Sequence, residues 1–412
     1  MEQYLVGGAV RDMLMGLDPK DKDYVVVGST PEQMLADGYE QVGADFPVFL
    51  KDGSEYALAR REKKTGVGYL GFTSEFSVDV TLEDDLARRD LTINSMAFEA
   101  ELDNPGSFLV HDYFGGKDDL NAKVLRHTSD AFAEDPVRVL RLARFRARFG
   151  AEWTVAPETA RLVTSMGRAG VLHELTAERV WKELSRALME PCPRLFFDTL
   201  LEADVLHILF PEVYALKSAL EHRKWHPEGD AYEHTMLVLT QSALVSNDLY
   251  DRLAALVHDF GKGLTPKDQL PNHFGHEDVG VPVVEKFCNR LTVPARMRDQ
   301  VMRTTKYHMH MHLLGELKSK TFVKMYMGLA AWRDSEMVDR LYRLGVSDPR
   351  GKLGHDADDV TDLSLVQQVW AEVQKVTFAD VFPDGETNPV KIKEGLYRAR
   401  IRAAGIKLAE AR

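Results

Sequence analysis

Two aspartates, Asp21 and Asp23, stand one residue apart in "DKDYVVVG" (residues 21–28). Residues i and i+2 of a β-strand point to one face. The run therefore predicts two carboxylates side by side at the start of a strand that Val25–Val27 anchor in a core. Two hard carboxylates so spaced can hold Mg²⁺, which takes oxygen ligands and shares its sphere with substrate phosphates. Such a pair, with two metals, could activate a hydroxyl and stabilise a leaving pyrophosphate. Upstream, "LVGGAVRD" (5–12) supplies Gly7 and Gly8, which let a ligand approach the backbone closely. It also supplies Arg11, a guanidinium fork suited to phosphate oxygens. A solvated surface turn is the alternative for D-x-D alone; the G-G-x-x-R-D before it favours metal binding.

A second set of chemically capable residues lies in the other half. "ALVHDFGKG" (255–263) ends an apolar helix on His258 and Asp259. "DAYEHTMLVL" (230–239) carries His234, and "NHFGHED" (272–278) carries His273 and His276. His and Asp gathered from separate helices predict a metal site, imidazole suiting Ni, Zn, Co or Mn. Structural packing is the alternative for any one of these histidines.

The elements that must position these groups follow from patterning. A chain of 412 residues exceeds a single hydrophobic core and calls for two or more domains. Strand-like runs (Tyr24–Val27, Val48–Leu50, Tyr56–Ala59, Val78–Thr81) mixed with Gly and Asp turns make residues 1 to about 130 an α/β region. Beyond Asp130, apolar residues recur at i, i+3, i+4 and predict helices. The reading is a mixed-sheet α/β head at 1–140 followed by all-α regions. These are a helical neck at 141–225, a His-rich domain at 226–331 and a helical tail at 332–412. Polar, Gly/Pro-bearing runs at 219–230 and 346–359 are candidate boundaries. A net charge of −12 argues against non-specific coating of nucleic acid, which needs many cationic contacts. Cys192 and Cys288 give neither a disulfide framework nor a zinc cluster. No eighteen-residue apolar run and no signal peptide are evident, so no membrane association is expected and the cytoplasm is the expected compartment.

"GGAVRD…DKD" resembles the active-site signature of the polymerase-beta-type nucleotidyltransferases, specifically the bacterial CCA-adding enzyme and poly(A) polymerase group. "RRDLTINSMA" (88–97), "DYFGGKDDL" (112–120), "AEDPVRVLRLARF" (133–145) and "TAERVWKEL" (176–184) follow in the family's order over roughly the first half of the chain. The resemblance implies that a tRNA 3′-hydroxyl attacks the α-phosphate of CTP twice and then of ATP. Asp21 and Asp23 would hold Mg²⁺, and Gly8, Arg11, Arg89, Arg138 and Arg141 the nucleotide, with Asp90 and Asn94 ordering the site. Asp135 and Arg138, three apart with Pro136 in the first turn, are expected on one helix face. A carboxylate accepts from the exocyclic amine of cytosine or adenine, and a guanidinium donates to the neighbouring ring acceptor. Uracil and guanine present the opposite pattern, so the pair could select C and A without a nucleic-acid template. A surface salt bridge is the alternative for this pair. Arg144, Arg146 and Arg148 are candidates for a track along the acceptor stem, or for a solvated helix face. "LGFTSEF" (70–76) and the turn in "DYFGGKDDL" are expected to be loops that serve geometry.

The histidine half resembles the HD phosphohydrolase domain, whose H…HD…D pattern binds divalent metal and hydrolyses phosphomonoesters and cyclic phosphodiesters. His234, His258 and Asp259 are the implied ligands, for Ni²⁺ or a similar transition metal. The chain departs from the pattern where the last aspartate is sought: "TTKYHMHMHLL" (304–314) offers His308, His310 and His312, with Asp299 a substitute. An HD domain favours the CCA-adding branch. Expected partners are the tRNA acceptor end, CTP and ATP, with monomer or homodimer left open. Competing readings are a poly(A) polymerase, a metal phosphohydrolase whose head only binds RNA, and a non-catalytic RNA-binding module.

Overall fold

The computed structural model describes residues 1–19, 21–42, 48–64, 72–99, 109–358 and 360–411. The chain forms two compact units, one of Met1–Arg179 with Leu195–Ile208, the other of Val180–Arg194 with Leu209–Arg412.

The first unit is built on a mixed sheet of β1 (Glu2–Val6), β2 (Asp23–Val27), β3 (Glu40–Val42), β4 (Val48–Lys51) and β5 (Ser54–Leu58), completed by two later strands. A separate ribbon pairs β6 (Arg61–Lys64) with β7 (Phe72–Glu75). The sheet closes with β8 (Ala97–Glu99) and β9 (Val110–His111), giving the order β3-β4-β5-β2-β1-β8-β9. β2 runs parallel to β5 and antiparallel to β1. Its valine run is explained by burial on both faces, since alternate side chains of an interior strand enter different cores. Val25 packs with Tyr4, Val6, Leu82 and Leu86, and Val26 with Met34, Phe49 and Leu58.

Two expected elements differ. Val78–Thr81 is not a strand: it leads into the helix Leu82–Ala87, where Thr81 and Asp84 form a reciprocal capping box. Of "LGFTSEF", Leu70 and Gly71 lie outside the described residues, while Phe72–Glu75 is β7 rather than loop.

The helix Val137–Phe149 buries Val139, Leu140, Leu142, Ala143 and Phe145, the i, i+3, i+4 face expected from sequence. Pro136 is its N-cap, so the helix begins after Asp135, whose backbone is extended.

The second unit is helical. Its principal helices are Ala231–Val245, Leu249–Val257, His276–Arg290, Ala295–Tyr307 and Glu336–Arg350. Buried Asp251 ties two of them, accepting from Arg343 Nε at 2.7 Å and Arg340 Nη1 at 3.2 Å. A further core holds Phe322, Tyr326, Leu341, Val366, Val369 and Leu408, joining the helices Ser319–Gly328, Leu365–Val373 and Pro389–Ala411. Residues 346–350, read as a boundary, are the last turn of Glu336–Arg350. Most of the polar run 219–230 is a loop tied at its base by a Leu220–Asp230 bridge.

Candidate active sites

In the head, Val6 at the end of β1 pairs with Asp23 at the start of β2. The turn after β1 therefore opens beside the D-x-D. Gly7 makes that turn with φ +73°, a backbone conformation that calls for glycine, and its missing Cβ leaves room for Arg89 Nη1 close by. Gly8 begins the helix Gly8–Leu14 that carries Arg11. Asp23 is exposed at the first strand position, and Asp21 is exposed two residues before it. Among the described residues neither carboxylate engages a hydrogen bond or ion pair.

Four motif residues form one polar chain. Arg11 Nη1 donates to Asn94 Oδ1 (2.5 Å), Asn94 Nδ2 to Asp90 Oδ1 (3.0 Å), and Arg141 Nε to Asp90 Oδ2 (2.7 Å). The Arg11 guanidinium also lies 5.4 Å from the ring centres of Phe145 and Phe149. Burial pushes the Asp90 carboxyl up, but Arg141 and Asn94 outweigh it and hold the group below its ordinary value. Arg89 Nη2 lies 3.2 Å from buried Asp85.

Asp135 and Arg138 do not share a helix face. Because the helix starts after Pro136, Asp135 turns its carboxylate to Val137 N (3.1 Å) and Arg179 Nη2 (2.7 Å), while Arg138 donates to the carbonyls of Ala131 and Arg88 at 2.6 Å each. Arg179 was missed as a partner of Asp135, although "TAERVWKEL" contains it. Asp112 accepts from Gly116 N and Lys117 N, fixing the turn before the helix Gly116–Ala122. Arg146 pairs with Glu202, and Arg148 lies 3.4 Å from Asp12. Arg144 is buried over Phe145.

In the second unit the histidines converge. His234, His258 and Asp348 form one group of closely spaced donors, and Asp259, His276 and His308 another, the donor atoms within each lying within 4.8 Å of one another. His234 Nε2 is 3.1 Å from Asp348 Oδ1 and 3.7 Å from Asp259 Oδ2, and His258 Nε2 is 3.2 Å from Asp259 Oδ2. The acid that the structure brings to His234 and His258 is Asp348, on the helix Glu336–Arg350. Asp299 instead pairs with Arg298 at the surface.

His312 Nε2, 2.8 Å from Asp348 Oδ2, orients that acid. His273 bonds to Thr265 and the Leu220 carbonyl, and His310 packs on Tyr307. The 219–230 loop, read from sequence as a candidate boundary, contributes Glu221, His226 and Glu228; with His234 they form a third donor group. Lys262 bridges Asp259 (2.7 Å) and Glu221 (2.5 Å), which together raise its ammonium above the ordinary range against the opposing effect of burial. Burial would raise the Glu221 carboxyl, but His226 and Lys262 carry it down to about 2. A cavity of about 370 Å³ opens over this cluster, with Trp225, Phe274 and Lys352 among its lining residues.

These features define a class. The family model described as "Poly A polymerase head domain" matches residues 3–126, "Probable RNA and SrmB- binding site of polymerase A" residues 153–216, and "HD domain" residues 231–344. The chain is a nucleotidyltransferase head followed by an HD domain. It is 46% identical to the "Multifunctional CCA protein" of Shewanella denitrificans, covering 98% of this chain and 97% of that one. It is 44% identical to the protein of the same name from Pasteurella multocida, covering 98% and 96%. A solved CCA-adding enzyme in complex with CTP shares the fold at TM-score 0.64 and 21% identity, covering 98% of this chain and 87% of that one. The chain belongs to the multifunctional CCA protein family.

Proposed function

We infer that the chain adds C, C and A to the 3′ end of tRNA from CTP and ATP without a nucleic-acid template, in tRNA maturation and repair. Family membership across nearly the whole chain carries the reading. The register that sets the G-G-x-x-R turn beside the D-x-D supports it.

Asp21 and Asp23 are the proposed catalytic residues and Mg²⁺ ligands. Exposed hard carboxylates suit an ion that retains water and phosphate oxygens, and when bound it supplies hydroxyl activation and charge neutralisation. Gly8, Arg11, Arg89, Arg138 and Arg141 are the proposed nucleotide contacts. The Arg11–Asn94–Asp90–Arg141 chain fixes two of these guanidiniums before substrate arrives. Asp135, held by Arg179, presents an acceptor to the exocyclic amine of C or A, and a carbonyl at that place leaves it unpaired.

The second unit is proposed to hydrolyse phosphomonoesters and 2′,3′-cyclic phosphodiesters. Its residues fit a bound metal: buried His258 Nε2 and Asp259 Oδ1 have no hydrogen-bond partner among the described residues, while Asp259 Oδ2 faces the Lys262 ammonium at 2.7 Å. His234, His258, Asp259 and Asp348 would hold a divalent transition ion such as Ni²⁺, which supplies Lewis acidity toward a phosphoryl oxygen. Glu228, 3.3 Å from His234 Nδ1, orients that ring. No described helix is long and apolar enough to cross a membrane, and we place the protein in the cytoplasm.

The test is Asp21→Ala with Asp23→Ala. Nucleotide incorporation is abolished while tRNA binding persists; retained incorporation refutes the assignment.

A further inference from the structure

We propose that Trp225 and Phe274 form a stacking platform for a nucleobase at the rim of the HD cavity, so that the phosphate esters entering it are nucleotides. This rests on the hydrolytic reading of the unit given above and names its substrate class.

Trp225 is 60% exposed and Phe274 85%, and both line the cavity of about 370 Å³ above the His–Asp cluster. That volume is of small-ligand size. Single exposed apolar residues are ordinary on a protein surface. Here two large rings border one polar cavity whose floor, of buried carboxylates and imidazoles, is the phosphate-ester site proposed above. The floor takes a phosphate ester and the rim a flat apolar group. A nucleotide carries both in one molecule.

Each ring is borne on a turn that also supplies a histidine facing the cluster. His226 follows Trp225 and meets Glu221 at 2.7 Å and Glu228 at 2.9 Å, its ring 4.8 Å from that of His234. Two residues after Phe274, across Gly275 at φ +69°, His276 stands 3.1 Å from Asp259 Oδ1. The two turns are tied to each other. His273 Nε2 lies 3.1 Å from the Leu220 carbonyl, and its Nδ1 lies 2.7 Å from Thr265 Oγ1. Leu220 in turn bridges to Asp230, and Glu221 N donates to the Gly229 carbonyl at 3.1 Å. The backbone beneath both rings is thereby fixed while the rings themselves stand in solvent.

One face of the indole is engaged: Lys224 Nζ lies 4.5 Å from its ring centre. Neither Trp225 nor Phe274 packs against another aromatic ring among the described residues. The opposite indole face and the Phe274 ring are left for a planar partner. Base–aromatic stacking accepts every base, because each has a π-face. The platform therefore separates nucleotides from base-free phosphate esters without selecting among bases. Lys352 lines the same cavity, and its ammonium has no carboxylate partner among the described residues, which leaves a positive charge for the phosphate.

The test compares adenosine 2′,3′-cyclic phosphate with glycerol 1,2-cyclic phosphate, a five-membered diester without a base, using the full chain and added Ni²⁺. Trp225→Leu and Phe274→Leu should each raise KM for the adenosine diester about 5- to 100-fold and leave kcat near the parent value. KM for the glycerol diester should not move. Trp225→Phe and Phe274→Tyr, which keep a ring, should hold the adenosine KM near that of the parent. With ions removed by EDTA, the adenosine diester should quench tryptophan fluorescence in the parent and not in Trp225→Leu. A trinucleotide ending in the same cyclic phosphate separates the two sources of such a group. Equal dependence on Trp225 means that an RNA end is read, and dependence confined to the mononucleotide means a free nucleotide. KM values that rise alike for both diesters, or stay unchanged for both, overturn the platform. If the parent hydrolyses neither diester, the hydrolytic reading fails; quenching that Trp225→Leu abolishes then still upholds the platform, and absent quenching overturns it.

Discussion

His234 and Asp348 lie 114 residues apart in the chain, yet His234 Nε2 and Asp348 Oδ1 are 3.1 Å apart. The helix that carries Asp348 is also tied to the helix that leads into His258, where its Arg340 and Arg343 grip buried Asp251. The ion pair therefore sets the register of one ligand-bearing helix against another.

Asp348→Asn is expected to weaken transition-metal binding by the HD unit about tenfold or more, measured by dialysis, while CTP incorporation stays unchanged. Unchanged metal affinity would remove Asp348 from the site.

Asp135→Ala should lower kcat/KM for both CTP and ATP about 10- to 100-fold and narrow their preference over UTP and GTP. Arg179→Ala should narrow the preference in the same direction, because Arg179 holds the carboxylate. Steady-state competition between CTP and UTP reads this; an undiminished preference in Asp135→Ala contradicts base reading by that residue.

Asp90 gives an acid-stability prediction. Its folded carboxyl sits below the ordinary value, so the unfolded state binds the proton more readily. The stabilisation is present above about pH 4 and is lost as the pH falls through the lowered folded value. Asp90→Asn should cost roughly 1.5–3 kcal/mol near neutrality. The difference in thermal midpoint from the unmodified chain should shrink on acidification below pH 4, and a difference that grew instead would contradict the sign.

Much of the head was legible because its signals are local. The valine run of β2, the glycine pair and the periodic face of Val137–Phe149 are set by near neighbours. Val78–Thr81 misled for the same reason: four residues of β-type composition end in a threonine whose role depends on Asp84 three positions on. The Asp135–Arg138 spacing suggested a shared face, but Pro136 as N-cap moved Asp135 off the helix and toward Arg179.

The HD site was legible in His234, His258, His276, His308 and Asp259 but not in its other acids. Asp348 sits in "VSDPRG", a run of turn-forming residues that reads as a boundary, and only the folded-back helix brings it to His234. Glu221, His226 and Glu228 were hidden likewise in a polar loop, whose base is closed by the Leu220–Asp230 bridge.

The central claim is tested most directly with purified protein, Mg²⁺ and a tRNA transcript ending at the discriminator base. CTP and ATP are supplied separately and together, and the products sequenced. The account predicts CC from CTP alone and CCA from both. A long A tract from ATP alone, or no extension at all, would contradict it.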